Sequence, residues 1–357
     1  ESIMKKTSKI MSLVLAGAMV LSMTACAGNT AETTSAAAKS QETEADTASK
    51  AEETTGAEAS ESETAAKAEG TTYKIGVLQL VQHTALDAAN DGFIAALDDA
   101  GIAYEVDQQN ASGDQSACQT VASKFANEKK DLILAIATPA AQAMVGAVED
   151  TPVLITAVTD PAESGLVDTN EKPGANVTGT SDLTPVKEQI DLLKQLVPEA
   201  KTVGVLYCSA ESNSKIQADM AKEAIAAAGM ESKEYTVSSS NEIQTVVQSM
   251  VGAVDAVYAP TDNVIAAGMA TVGMVAGDNN LPVICGEAGM VQNGGLATYG
   301  IDYYQLGYMT GQQAVKILTE GASPADMPIE YLPAEKCELT VNEETAQTLG
   351  IDVSGLK

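Results

Sequence analysis

The sequence predicts an α/β fold of two lobes, each a doubly wound parallel sheet with helices packed on its faces. Three observations predict it. From residue 73 onward, short apolar runs alternate with segments of helical period. The same programme restarts near residue 202 with related strings. The segment ahead of residue 73 carries almost no large apolar residue, so the folded part begins there. Alternating strand and helix patterns imply parallel strands joined by right-handed crossovers.

The N-terminal segment reads as a sorting signal. Lys5, Lys6 and Lys9 precede an apolar stretch over 10–23, too short to span a bilayer comfortably. Met23-Thr24-Ala25-Cys26 is close to the bacterial lipobox. Residues 1–26 are therefore expected to be a lipoprotein signal peptide, with Cys26 carrying the lipid. Residues 27–72 form an acidic Ala/Thr/Ser/Glu linker that cannot bury enough surface to offset chain entropy and is expected to be disordered. As a flexible coil it spans roughly 40 Å, enough to hold a folded head clear of a membrane.

The first lobe opens with Lys74-Ile75-Gly76-Val77-Leu78-Gln79-Leu80, a buried strand. Leu86, Ala89, Phe93 and Leu97 follow at helical spacing, ending at Gly101. A strand over 104–108, a helix over 115–129, a strand over 132–137 and a helix from Pro139 come next. Strands over 153–158 and 177–180 close this half. In the second half, Thr202-Val203-Gly204-Val205-Leu206-Tyr207 echoes residues 73–78, and Pro282-Val283-Ile284 echoes Pro152-Val153-Leu154. Such self-similarity is read as two like lobes. A long helix over 305–319 stops at Gly321 with Pro324 beyond, and a short strand-like tail covers 337–341.

Ligands of open parallel sheets bind beyond the carboxyl ends of the strands, where helix N-termini converge. The residues at those ends are short and polar, which marks them as candidate ligand contacts. In the first lobe they are Gln79, His83, Thr138, Ala140, Thr159 and Asp160. Further along the chain they are Ser209, Asn213, Thr261, Asp262, Glu287, Asp302 and Tyr303. Thr138-Pro139 places a capping hydroxyl ahead of a proline suited to a helix start, and Thr84 with Asp87 has a capping-box pattern. His83, the only imidazole in the chain, is read as a pocket residue against the alternative of a solvated loop. Glu287 and Asp302 are the expected partners for a ligand ammonium, with helix capping as the plainer alternative.

Composition excludes several function classes. The formal net charge is −29, from 49 acidic and 20 basic residues, so nucleic acid is not an expected partner. All 20 basic residues are Lys, which removes the usual bidentate clamp for carboxylate or phosphate. One His and no C-x-x-C pair argue against a metal site; no cofactor and no enzymatic nucleophile–base pair is expected. Cys118, Cys208, Cys285 and Cys337 are expected as free, mostly buried thiols. With no Trp, and with Phe93 and Phe125 inside helices as core, only Tyr and His83 remain to stack on a ligand.

These strand-end strings resemble the ABC-transporter substrate-binding lipoproteins of the type I periplasmic-binding fold, in the branch associated with tryptophan and other aromatic amino acids. The similar segments are His83-Thr84-Ala85-Leu86-Asp87, Ala135-Ile136-Ala137-Thr138-Pro139-Ala140-Ala141-Gln142 and Thr156-Ala157-Val158-Thr159-Asp160-Pro161. Asn176-Val177-Thr178-Gly179, Pro260-Thr261-Asp262-Asn263 and Ala297-Thr298-Tyr299-Gly300-Ile301-Asp302-Tyr303-Tyr304 continue the likeness. This chain has Gln82 and Thr84 where the family usually carries an acidic residue and Pro around the motif His.

The resemblance implies two lobes joined by three crossovers, a cleft that closes by hinge motion, and membrane permease and ATPase partners. The expected lobes are 73–182 with 303–332, and 183–302 with 333–357. The expected function is capture of a small zwitterion, an apolar or aromatic amino acid, by a monomer anchored outside the cell membrane. A sugar or nucleoside binder of the same fold, or a ligand-sensing receptor head, is the alternative.

Overall fold

The computed structural model describes residues 70–356. The expected signal peptide with its Cys26, and the linker as far as residue 69, lie outside the described residues. The first half runs β1 (Tyr73–Gln79), α1 (Thr84–Asp99), β2 (Tyr104–Asn110), α2 (Gln115–Glu128), β3 (Leu132–Ile136), α3 (Thr138–Val145), β4 (Val153–Val158) and β5 (Val177–Ser181). The second begins with α4 (Val186–Leu196), β6 (Thr202–Cys208), α5 (Ser212–Ala227), β7 (Glu231–Val237) and α6 (Ile243–Met250). It continues with β8 (Ala256–Ala259), α7 (Asn263–Ala267), α8 (Met269–Asp278), β9 (Val283–Cys285), α9 (Ala288–Gln292) and β10 (Ala297–Gly300). The chain ends with α10 (Tyr303–Glu320), β11 (Glu330–Tyr331), β12 (Glu338–Val341) and α11 (Glu343–Leu349).

The strands form two six-stranded sheets, ordered β11-β5-β4-β3-β1-β2 and β12-β10-β9-β8-β6-β7. All pairings are parallel except β10 with β12. The chain crosses between the sheets three times: after β5, after β10 and after β11.

The halves repeat each other in detail. The Asp131 carboxylate accepts the backbone N–H of Lys74 at the start of β1, and Asp255 accepts those of Lys201 and Thr202 at the start of β6. Gly101 follows α1 and Gly229 follows α5, the first helix after the opening strand of each sheet, at φ +66° and +75°, a conformation that favours glycine. Each sheet buries aliphatic strands on both faces, as a parallel sheet between helix layers must. Phe93, Phe125 and Tyr258 are the bulkiest fully buried side chains. Cys118, Cys208, Cys285 and Cys337 are free thiols, the first three buried, and burial pushes each thiol pKa up.

After the second crossing, α10 returns to the first sheet and lies against α1 at very short range. A β-carbon on Gly307 would run into the Ala89 carbonyl, and one on Gly92 into that of Tyr304. The helix starts differ from the capping pattern expected. His83, not Thr84, is the N-cap of α1 and makes no side-chain cap, while Asp87 accepts from Gln79 Nε2 at 2.7 Å instead. Thr138 lies inside α3, whose N-cap is Ala137 at φ 82°, so the Thr138 hydroxyl caps nothing.

Candidate functional site

The carboxyl ends of the two sheets face each other across a cleft. Four side-chain bonds cross it. His83 Nε2 meets Asn263 Oδ1 at 3.2 Å, and Gln217 Nε2 donates to Thr159 Oγ1 at 2.9 Å. Gln115 donates to the Ala210 carbonyl and Gln142 to the Ser212 hydroxyl. At the mouth lies a groove of about 520 Å³, bordered by Leu80, Asp114 and Pro139 on one side and by Glu211, Ser239 and Val264 on the other.

Deeper in, a small cavity is walled by both lobes. His83, Leu86 and Ala157 come from the first, and Asn213, Thr261, Asp262, Asn263, Ala266 and Glu287 from the second. Asp182 and Tyr303 complete it from two of the crossing segments, tied to each other by Tyr303 Oη–H donating to Asp182 Oδ2 at 2.7 Å. Its free volume is about 10 Å³, room for about one water molecule. The lobes have therefore closed almost to contact.

Six of the thirteen residues expected from sequence line this cavity: His83, Asn213, Thr261, Asp262, Glu287 and Tyr303. The other seven do not reach it, for identifiable reasons. Gln79 turns to Val81 O and Asp87. Thr138 and Ala140 are buried within α3. Thr159 serves the interlobe bond with Gln217, and Asp160 caps the turn at Ala162 and Glu163. Ser209 is exposed and bonds Val237 O; Asp302 is exposed and caps α10 through Gln305 N–H. Asp182, Asn263, Leu86, Ala157 and Ala266 were not among the expected contacts. Asp182 directly follows a strand, so the strand-end rule that found Glu287 also applies to it.

The cavity wall is acidic and has no cation among the described residues. Burial raises Asp182 to about 6, against the opposing hydrogen bonds of Tyr303, Thr159 and its own backbone. Burial likewise raises Glu287 to about 7, although it accepts the Gly289 and Met290 N–H groups at the start of α9. Glu211 and Asp262, both nearly inaccessible, are pushed above the ordinary carboxylate range by burial, and Asp262's charge adds to the effect on Glu211. Burial lowers His83, so its ring is neutral at pH 7. Asn263 donates its Nδ2 to Glu211 Oε2 at 2.5 Å and so presents Oδ1 to the imidazole. An acceptor there requires the His83 proton on Nε2, leaving Nδ1 as a bare lone pair.

Three buried polar atoms of the cavity-lining residues have no hydrogen-bond partner in the protein: His83 Nδ1, Asp182 Oδ1 and Asn213 Oδ1. All three are acceptors. Buried acceptors without partners are costly, and a group offering several N–H donors would satisfy them together. A primary ammonium, with three donors and a positive charge, has that chemistry.

Comparison with known proteins agrees with this architecture. Residues 74–355 match the ABC transporter substrate binding protein family. A protein named tyrosine-binding protein from Clostridioides difficile (strain R20291) is 41% identical over 351 residues, covering 97% of this chain and 93% of the relative. A domain from Streptococcus pneumonia solved in complex with L-Trp superposes with a TM-score of 0.77 at 39% identity, covering 80% of this chain and 97% of that one. A ligand-free, open substrate-binding protein with adhesive properties from Clostridium difficile gives only 0.62, at 46% identity and the same coverage. The more identical protein superposes less well, as expected when the lobe arrangement, here closed, separates the two. With a family match over nearly all the described residues and a relative 41% identical along almost its whole length, the chain belongs to the ABC transporter substrate-binding proteins.

Proposed function

We propose that the interlobe cavity captures the zwitterion of an aromatic amino acid, tyrosine or tryptophan, for import. The observation that carries this reading is the set of three unpartnered acceptors, His83 Nδ1, Asp182 Oδ1 and Asn213 Oδ1, beside the acids Asp182 and Glu287. The ligand ammonium is their common partner. In a chain without Arg, the carboxylate rests on backbone amides. The first turn of α1 supports this role, because it has no side-chain cap and Leu86 within it reaches the cavity. Tyr303 and the His83 ring are the side-chain walls. The tyrosine-binding relative and the L-Trp-bound neighbour favour an aromatic side chain.

A cavity of about 10 Å³ cannot admit an amino acid. The lobes, taken as 73–182 with 303–332 and 183–302 with 333–357, must part about the three crossings and close again on the ligand. Small-angle scattering should therefore show a ligand-free form at least partly open, and contraction on adding the amino acid. A thermal-shift screen against amino acids, sugars and nucleosides tests the ligand class, since a ligand that binds only the folded state raises its melting temperature. Stabilisation by sugars alone would refute the reading.

A substrate-binding protein of an importer works outside the cytoplasm with its permease and ATPase. No helix of the described residues is long and apolar enough to cross a membrane. Anchoring as a monomer through lipid on Cys26 is part of the same proposal. Cys26→Ser should release the protein into the medium with unchanged affinity, and continued membrane retention would refute the anchor.

A further inference from the structure

Glu211 is a buried carboxylate that does not border the inner cavity, yet it holds two residues that do. It lies just before α5, and apart from Asn213 its partners lie some fifty residues on, at the start of α7. Oε1 accepts the Val264 N–H at 3.2 Å. Oε2 accepts Asn263 Nδ2 at 2.5 Å, Asn213 Nδ2 at 3.3 Å and the Asn263 N–H at 3.4 Å. Its neighbours in sequence, both exposed, are bonded from the other lobe, Ala210 by Gln115 and Ser212 by Gln142.

A carboxamide has nearly the same shape either way round, so its neighbours decide which end faces where. An ionised carboxylate only accepts, and therefore selects the nitrogen end of the Asn263 amide; for Asn213 it shares that role with the Thr261 carbonyl, which also accepts Asn213 Nδ2 at 3.3 Å. Their oxygens are left for the cavity side. Asn263 Oδ1 meets His83 Nε2, and Asn213 Oδ1 has no partner in the protein. We propose that Glu211 is a positioning residue for the binding site: it turns the Asn263 amide oxygen-inward and so holds the His83 proton on Nε2, and together with the Thr261 carbonyl it sets the Asn213 amide the same way. The inference rests on reading the cavity as the seat of a ligand ammonium, because the acceptor His83 Nδ1 then owes its orientation to Glu211, and Asn213 Oδ1 owes its own to Glu211 and the Thr261 carbonyl together.

The arrangement has a proton linkage. The titratable groups around Glu211 are Asp262, which shares the start of α7 with it, His83 beyond Asn263, Asp114 across the mouth groove, and the Cys208 thiol. No cation contacts it among the described residues. Burial and the Asp262 charge favour a proton on Glu211. A protonated Glu211 would donate, and would no longer select the nitrogen end of the Asn263 amide. An arriving ammonium favours the ionised form, so binding should release a proton and tighten as pH rises toward 8. Asp182 and Glu287, at about 6 and about 7, are already mostly ionised at pH 8.

Because His83 is the chain's only histidine, nitrogen-15 NMR of the uniformly labelled full chain reports a single imidazole. The wild-type ring should be neutral above about pH 9, where Glu211 has shed its proton, with the imidazole proton on Nε2 and Nδ1 at an unprotonated shift. In Glu211→Gln, whose amide can accept at only one end, an Nδ1–H form should appear, and affinity for L-tryptophan should fall at least about tenfold. Calorimetry at pH 8 in two buffers of different ionisation enthalpy should show proton release on L-tryptophan binding in the wild type and less in Glu211→Gln. A wild-type ring protonated on Nδ1 overturns the proposal, even if the variant does not fold. So does a folded Glu211→Gln protein with wild-type tautomer, affinity and proton release. If neither L-tryptophan nor L-tyrosine binds the wild type, the ligand reading fails, while the tautomer still decides the role of Glu211.

Discussion

Asp182→Asn should weaken ligand binding while stabilising the ligand-free protein. The substitution keeps size and shape, and the new amide oxygen can still accept from Tyr303 Oη, which now donates to Oδ2 at 2.7 Å. What is lost is the negative charge behind Oδ1, the atom without a partner. Removing one side of a buried charged hydrogen bond costs about 2–5 kcal/mol, which is roughly 30-fold to several-thousand-fold in affinity. The effect on the empty protein has the opposite sign. Asp182 titrates at about 6 in the fold against an ordinary 3.8. The folded state therefore binds more protons than the unfolded one between those values, and stability falls as pH rises through that window. Above it, ionised Asp182 destabilises the fold by on the order of 3 kcal/mol, which the neutral Asn relieves. Calorimetric titration with L-tyrosine and L-tryptophan gives the first quantity, and thermal melts of ligand-free protein at pH 8 give the second. Wild-type affinity in Asp182→Asn would refute the assignment of the ammonium to this carboxylate.

The same sign applies to Glu287, raised to about 7: Glu287→Gln should raise the ligand-free melting temperature at pH 8 more than at pH 5, as thermal scans at the two values would show. Gly307→Val should destabilise the protein by about 1–3 kcal/mol, read from urea unfolding, because a β-carbon there meets the Ala89 carbonyl across the α1–α10 contact. Gln217→Leu removes its bonds to Thr159 and Thr261; stopped-flow measurements should find faster ligand release with little change in the association rate.

How far the site was legible in the sequence depended on what each residue does. The parallel-sheet lobes follow from aliphatic runs such as 74–80 and 202–207, whose burial is set by period alone. His83, Glu287 and Tyr303 were reachable from their positions just after strands or at the crossings. Asp302 and Asp182 show the limit of that rule. Both are acids near a crossing between sheets, but Asp302 turns outward to Gln305 N–H while Asp182 turns inward to Tyr303. Local pattern does not distinguish a cap from a ligand contact. Thr138 failed as a cap for a related reason: the β3–α3 turn places Ala137 at positive φ and starts the helix one residue early. Glu211 was invisible, because its importance lies in contacts with Asn263 and Val264, more than fifty positions away.

If the cavity reads both ends of an amino acid, titration calorimetry with a matched ligand set will separate the two contributions. The free aromatic amino acid should bind tightly. Its N-acetyl form, which removes the ammonium donors that His83, Asp182 and Asn213 are placed to receive, should bind far more weakly. Its methyl ester, which removes the charge resting on the first turn of α1, should also bind more weakly. Equal affinity for the free amino acid and its N-acetyl form would mean that the cavity does not receive the ammonium.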